Sequence, residues 1–257
     1  MFSFGTLTDT VAGLVGTIAV TPQRLLLAGA ITVAFAVIAK LARSVTTSGA
    51  LVGWAMSFVL FVCGGPTAFA ALATVFLLTL LSTRFGYRQK QELGTAERRT
   101  GRTGSQVTAN LLVATAASAA SLFPAWRSAA LMASVAALAE AAADTVSSEF
   151  GQSINAPVYL ITNWKIVVPG TDGGISLPGT LAGIIASFTV GVVCAATHLL
   201  TRGQTPVAVT AGVLGMFTDS YLGALFERRK LLGNDKVNFL STLIAAAIAV
   251  GLSLVVR

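Results

Sequence analysis

Six of the ten acidic residues, Glu140, Asp144, Glu149, Asp172, Asp219 and Glu227, fall between positions 140 and 227, among segments that are otherwise apolar. A carboxylate at the centre of a membrane helix costs roughly 2.5–3.5 kcal/mol on insertion scales, so such groups face a polar site rather than lipid. Glu140 and Asp144 are four residues apart and share a helix face, where like charges destabilise each other unless something positive lies between them. Glu149 follows at the helix exit, near that face. One or two carboxylates completed by phosphate oxygens and water are the usual protein setting for Mg2+. A proton relay, or a buried partner for arginine, would use the same residues.

Three further stretches suit phosphate. Pro169-Gly170-Thr171-Asp172-Gly173-Gly174-Ile175-Ser176 runs straight into an apolar segment. Its glycines let backbone N–H groups approach an anion, and a helix N-terminus adds its dipole. No Gly-Lys-Ser/Thr follows, so this is not a Walker sequence. Gly215-Met216-Phe217-Thr218-Asp219-Ser220-Tyr221-Leu222-Gly223-Ala224 sets a carboxylate and a hydroxyl between glycines that allow close helix approach. In the run from Arg98 to Asn110, arginines offer planar donor forks, and Gln106 and Asn110 share a helix face below Arg102. Lys165, Asn234, Asn238, Ser241 and the stretch Ser44 to Gly49 are lesser polar positions on the same side. The blander alternatives are glycine-mediated packing, and basic residues that only set membrane topology.

Membrane helices must position these groups. Of 257 residues, 54% are hydrophobic and only 11% are charged, against about 25% charged in soluble domains. Mean hydropathy is +0.80. The apolar runs have helical rather than barrel-strand lengths. This predicts an all-α integral membrane protein with a single polytopic domain over 1–257. About eight transmembrane helices are expected, near 24–42, 48–63, 66–82, 106–122, 128–148, 176–199, 206–226 and 237–256. The short second span turns into the third at Gly64-Gly65-Pro66. Residues 1–23 read as an N-terminal interfacial or re-entrant segment; no basic residue precedes the apolar stretch 9–20, which argues against a cleaved signal. Residues 83–105 and 149–175 form two functional loops.

Alternating these spans gathers Lys40, Arg43, Arg84, Arg88, Lys90, Arg98, Arg99, Arg102, Arg228, Arg229, Lys230 and Lys236 on one face, leaving Arg127, Arg202 and Arg257 on the other. The positive-inside rule makes the rich face cytoplasmic. The net charge of +7 is then explained by membrane topology, and no nucleic-acid partner is expected. The acidic residues fall on the same cytoplasmic face, where nucleotides are found. A bacterial inner membrane, or an organelle membrane in a eukaryote, would house such a protein. Cys63 and Cys194 lie in apolar segments without metal spacing, and His198 lies at the far end of its helix from the acids, which leaves a histidine mechanism little support.

Taken in order, Ser48-Gly49-Ala50, Gly101-Arg102 with Gln106-Val107 and Asn110, Ala143-Asp144-Thr145 with Ser148-Glu149, Gly170-Thr171-Asp172-Gly173-Gly174, Asp219-Ser220 with Gly223-Ala224, and Val237-Asn238-Phe239-Leu240 form a set. This set resembles the membrane family that contains the phytyl-phosphate kinase of tocopherol and phylloquinone salvage, from about residue 24 onward. The resemblance implies nucleotide-dependent phosphorylation of an isoprenoid monophosphate, phytyl or polyprenyl phosphate, to its diphosphate. The related phytol kinases use CTP, and both are distantly similar to dolichol kinase and CDP-diacylglycerol synthase. Phe150 departs from a position that is usually small or aliphatic, and Asp172 stands where Asn is often expected.

On this reading Asp144, Glu149 and Asp219 hold Mg2+ as the catalytic carboxylates, with Glu140 as a supporting ligand. Arg102, Lys165 and the loop Gly170, Thr171, Asp172, Gly173 and Gly174 bind CTP, joined by Gln106, Asn110, Ser220 and Asn238. A cytidylyltransferase of the CDP-lipid type, an isoprenoid alcohol kinase and a cation-coupled transporter are the alternatives.

Overall fold

The computed structural model describes residues 20–97 and 100–255. Most of the segment expected at 1–23 lies outside these, as do Arg98, Arg99 and Arg257. Helix α1 (Pro22–Leu41) begins where Thr21 accepts the Arg24 N–H at 3.2 Å and Pro22 takes the first helical position, where a missing N–H costs nothing. Next comes α2 (Thr47–Arg84), 38 residues long. A straight helix of that length would span about 57 Å, nearly twice the roughly 30 Å hydrocarbon core.

Helix α2 is in fact a hairpin. Gly65 sits at φ 88°, ψ 178°, and Pro66 starts the return arm. Both ends of α2 therefore lie beside the C-terminus of α1: Arg84 donates to the Ala42 carbonyl at 3.0 Å, only five residues before Thr47. The turn itself lies beside the start of α1, where Arg24 donates to the Phe61 carbonyl at 3.4 Å. The two arms correspond to the expected spans 48–63 and 66–82.

A short helix α3 (Tyr87–Glu92) precedes α4 (Gly104–Ala120), which opens on a capping box between Thr103 and Gln106. Helix α5 (Arg127–Ser153) is the hub. It is alanine-rich, 89% of its apolar span is buried, and it touches α2, α4, α6, α7 and α8. Small side chains let backbones approach closely where lipid offers no hydrophobic drive. The bundle closes with α6 (Leu177–Ala196), α7 (Gln204–Leu222) and α8 (Asn234–Val255). Glycines hold α5, α6 and α7 together: a Cβ at Gly183 would lie 2.8 Å from the Ala143 carbonyl, and one at Gly212 would lie 2.8 Å from the Ala139 Cβ.

Among the described residues, six helices are long and apolar enough to cross a membrane. Since α2 crosses twice and the 17-residue α4 lies beside it, the bundle has about the eight crossings expected. The protein is a multi-pass integral membrane protein. Its polar end collects the tips of α1, α2, α5 and α7 and the starts of α4, α6 and α8.

That end contains structure the hydrophobic pattern did not predict. The 149–175 loop begins later than expected, because α5 runs to Ser153. It then folds into a three-stranded antiparallel sheet, β1 (Val158–Leu160) between β2 (Ile166–Val167) and β3 (Gly174–Ile175), with Tyr159 paired to Ile166 and Ile175. Helix α7 ends in a π turn over Gly223–Glu227. Phe150, the residue that departs from the family pattern, stacks on Phe85 with ring centroids 4.7 Å apart.

Candidate active site

Helices α5 and α7 place Glu140, Asp144 and Asp219 within electrostatic reach of one another below the polar end, and α8 packs against both helices. Glu140 is 1% exposed. A Cβ at position 215 would meet its Cγ at 2.5 Å, so Gly215 makes the space the Glu140 side chain occupies. Asp144 lies one turn nearer the surface, and its charge interacts with that of Asp219 across the α5–α7 interface, with Arg102 as the opposing positive charge. Ser241 of α8 donates to Asp219 Oδ2 at 3.1 Å. Asn238, with its amide turned to satisfy both ends, donates to Asp219 at 3.2 Å and accepts from Asn110 at 3.3 Å. A continuous polar chain thus runs from α4 through Asn110 and Asn238 to Asp219. Glu140 Oε1 is the exception, buried with no partner.

Above these acids opens a polar cavity of about 330 Å³ lined by Asp144, Asp219, Ser220, Glu227 and the loop Gly170 to Gly174. A second cavity of about 230 Å³ adjoins it through Asp144, Ser148 and Gln152, and is walled by Arg102, Gln106, Asn110 and Asn238. The glycine loop is pinned to α7, because a Cβ at Gly173 (φ 75°) would lie 2.4 Å from that of Ala224. The motifs 170–174 and 219–224 are therefore two halves of one contact. Asp172, which lines the same cavity, has its carboxyl raised above the ordinary value by partial desolvation, with the Arg228 guanidinium opposing the rise.

Arg102 is also positioned by a long-range contact. Gly101 (φ 82°) leaves no room for a Cβ, which would sit 2.3 Å from the Ser44 carbonyl carbon. The Arg102 backbone then pairs with the 44–46 strand: its N–H donates to Ser44 at 2.9 Å and its carbonyl accepts from Thr46 at 2.9 Å. Gly49 is required for the same reason, since its Cβ would lie 2.4 Å from the Arg102 carbonyl. So fixed, the guanidinium reaches Thr145 at 3.4 Å and Glu97 at 3.9 Å.

Two expected members are placed elsewhere. The Glu149 side chain lines the second cavity, but its carboxylate is ion-paired with Lys90 and accepts from Thr83 at 2.8 Å. Lys165 is exposed in the β1–β2 turn, away from both cavities. Gln106 lines the cavity, but its Oε1 is occupied in the α4 cap, accepting from the Thr103 N–H at 2.8 Å. Thr145 and Glu227 were not singled out as site residues. Thr145 was readable as the neighbour of Asp144, whereas Glu227 reaches the cavity only through the π turn.

The set suits a hard cation in part. Asp144 and Asp219 converge beside the unpartnered Glu140 oxygen, and Ser241 adds a neutral oxygen. No three acidic, histidine or cysteine side chains among the described residues close on one point. Mg2+ needs no such cage, because it keeps waters and takes substrate phosphates alongside one or two carboxylates.

Comparison with known proteins agrees with this architecture. Residues 30–246 match the integral membrane protein family DUF92. The chain belongs to that family. An uncharacterised membrane protein of Methanocaldococcus jannaschii is 32% identical over 219 residues, covering 84% of this chain and 88% of its own. The chloroplast protein VTE6 of Arabidopsis thaliana is 31% identical over 197 residues, 72% of this chain and 58% of its own length. An uncharacterised membrane protein of Synechocystis is 28% identical over 203 residues, 77% and 79% of the two chains. No solved structure matches. The family resemblance read from the ordered motifs is borne out at this level.

Proposed function

We propose that this DUF92 member is a membrane-embedded phosphotransferase that uses CTP and Mg2+ to convert an isoprenoid monophosphate, phytyl or polyprenyl phosphate, into its diphosphate at the cytoplasmic face. The observation that carries the reading is that Asp144 and Asp219 line one polar cavity, with the buried, unpartnered Glu140 oxygen on a carboxylate that interacts with both. Four carboxylates, Asp144, Asp172, Asp219 and Glu227, line that cavity, with Glu140 buried as a further electrostatic neighbour of Asp219, and Arg102 and Arg228 oppose them. A nucleotide triphosphate would be repelled from such a site unless a divalent cation accompanied it.

Asp144 and Asp219 would hold Mg2+, with Glu140 in support; the ion supplies charge neutralisation to the transferring phosphoryl group. Phosphoryl transfer depends mainly on positioning and charge, and an acceptor phosphate is already a nucleophile, so no histidine or serine is required. Arg102 orients phosphate oxygens through its planar fork. Ser220 and the backbone of Gly170 to Gly174 line the donor's side, with Asn110 and Asn238 fixing the Asp219 carboxylate.

The test is label transfer on purified protein with γ-labelled CTP or ATP, phytyl or farnesyl monophosphate, and Mg2+. Label in a lipid diphosphate is expected, and chelation of the metal should abolish it. Released pyrophosphate with a cytidylylated lipid would replace the kinase by a cytidylyltransferase. Arg102→Lys is expected to lower kcat/KM by about 10- to 100-fold, the value of one or two charge-assisted hydrogen bonds lost when a planar fork becomes a point charge. An unchanged kcat/KM in this variant would remove Arg102 from the phosphate site.

A further inference from the structure

Arg102, Gln106 and Asn110 line two spaces of opposite character. On one side is the polar cavity of Asp144 and Asn238. On the other is an apolar groove of about 100 Å³ between α1, both arms of α2, and α4. The groove follows the return arm of α2 from Leu80 to Leu72, about 12 Å at 1.5 Å per residue. Phe35 stands at its inner end, in edge contact with Phe69 and Phe76 at ring-centroid distances of 5.2 and 4.9 Å. Next to it, an open apolar furrow of about 410 Å³ runs between α1 and the first arm of α2. Groove and furrow share Ala36 and Ala50 as lining residues. Two alanines thus form the boundary between an internal slot and the lipid-facing surface.

We propose that this groove is a tail slot for a single-chain lipid phosphate, entered sideways from the bilayer past Ala36 and Ala50, with the lipid phosphate resting on Arg102. The charge complementarity is specific to this end, because Arg102 is the cationic residue lining the groove. A volume of about 100 Å³ leaves no room for two acyl chains side by side, so the slot favours a single-chain lipid over a two-chain phospholipid. The slot's length takes a chain of about farnesyl length, and a longer tail passes out through the alanine boundary into the bilayer. Phe35 closes the inner end and sets which tails fit entirely inside. That the bound lipid is a phosphoryl acceptor rests on the function proposed above; its binding does not, and is measured without nucleotide.

The experiment uses the full chain in nanodiscs with a farnesyl monophosphate carrying a diazirine on its last isoprene unit, photolysed and mapped by mass spectrometry. Adducts are expected on the groove-lining residues of α1 and α2. Farnesyl monophosphate should compete, whereas farnesol and dioleoyl phosphatidic acid should not. Ala36→Phe and Ala50→Phe should each reduce labelling at least tenfold. Phe35→Ala, which removes volume instead of adding it, should keep labelling and shift adducts beyond position 35 toward the Gly65 turn. Equal competition by phosphatidic acid would overturn the proposal in favour of an ordinary phospholipid. Labelling that appears only after residues 1–19 are removed would overturn it in favour of the chain's own N-terminus. Labelling confined to α6, α7 or α8, or unchanged in both alanine variants, would also overturn it. A failed label-transfer assay with groove labelling intact would refute the kinase reading alone.

Discussion

Asp219→Asn and Asp144→Asn are each expected to lower turnover by about 10²–10³-fold, the loss typical when a preorganised charge at a reacting centre is removed. The two carboxylates line one cavity, interact electrostatically across the α5–α7 interface and have Glu140 as a third negative neighbour. Three acids in that arrangement repel one another in the absence of a cation, so neutralising one should leave the fold as stable as before, or more so. Amide replacement keeps the volume and the hydrogen bonds from Ser241 and Asn238 to position 219. Loss of turnover with unchanged or raised thermal stability would separate a chemical role from a structural one. The double variant should be little worse than either single one, because groups that act as a unit are not additive. Turnover near wild type in both single variants would remove the metal assignment.

The crossings were legible because apolar runs of helical length leave few alternatives in a membrane, and the α2 hairpin was readable from Gly64-Gly65-Pro66. The polar end was legible in its residue types: a carboxylate in a span needs a reason, and Asp144, Asp219 and Glu140 are electrostatic neighbours there. What the pattern could not supply was pairing across distance. Gly49 and Gly101 look like ordinary loop glycines until the 44–46 strand and the Arg102 backbone are seen to occupy each other's Cβ space. The sheet was invisible because strands of two or three residues have no periodicity to detect. Glu149 shares a cavity with Asp144, but its carboxylate is held by Lys90 and Thr83, partners 59 and 66 residues away in sequence that spacing does not reveal. Lys90 was read as a topology charge, because sequence does not distinguish a basic residue in solvent from one folded beneath a loop.

That lysine carries the second large effect. Lys90→Met is expected to destabilise the protein by about 3–5 kcal/mol, the range for breaking a buried ion pair from one side. The Lys90 side chain is fully buried, and Nζ donates to the Ser82 and Thr83 carbonyls at 3.1 and 2.8 Å as well as to Glu149. It therefore satisfies the last carbonyls of α2 while tying α3 to the end of α5. Around it, Ser153 donates to the Phe85 carbonyl at 3.1 Å, and Gly86 (φ 59°) leaves no room for a Cβ against Ser153. Removing the ammonium leaves the Glu149 carboxylate with Thr83 as its remaining hydrogen-bond donor, in a site only 13% exposed. Adding Glu149→Leu removes the stranded charge, so the double variant should recover much of the loss. Thermal unfolding of the three variants in one detergent measures this. Glu149→Gln, which keeps the shape and the Thr83 hydrogen bond, should lower stability more than turnover per folded molecule. A loss of turnover comparable to that of Asp219→Asn, with stability intact, would instead return Glu149 to the chemical site.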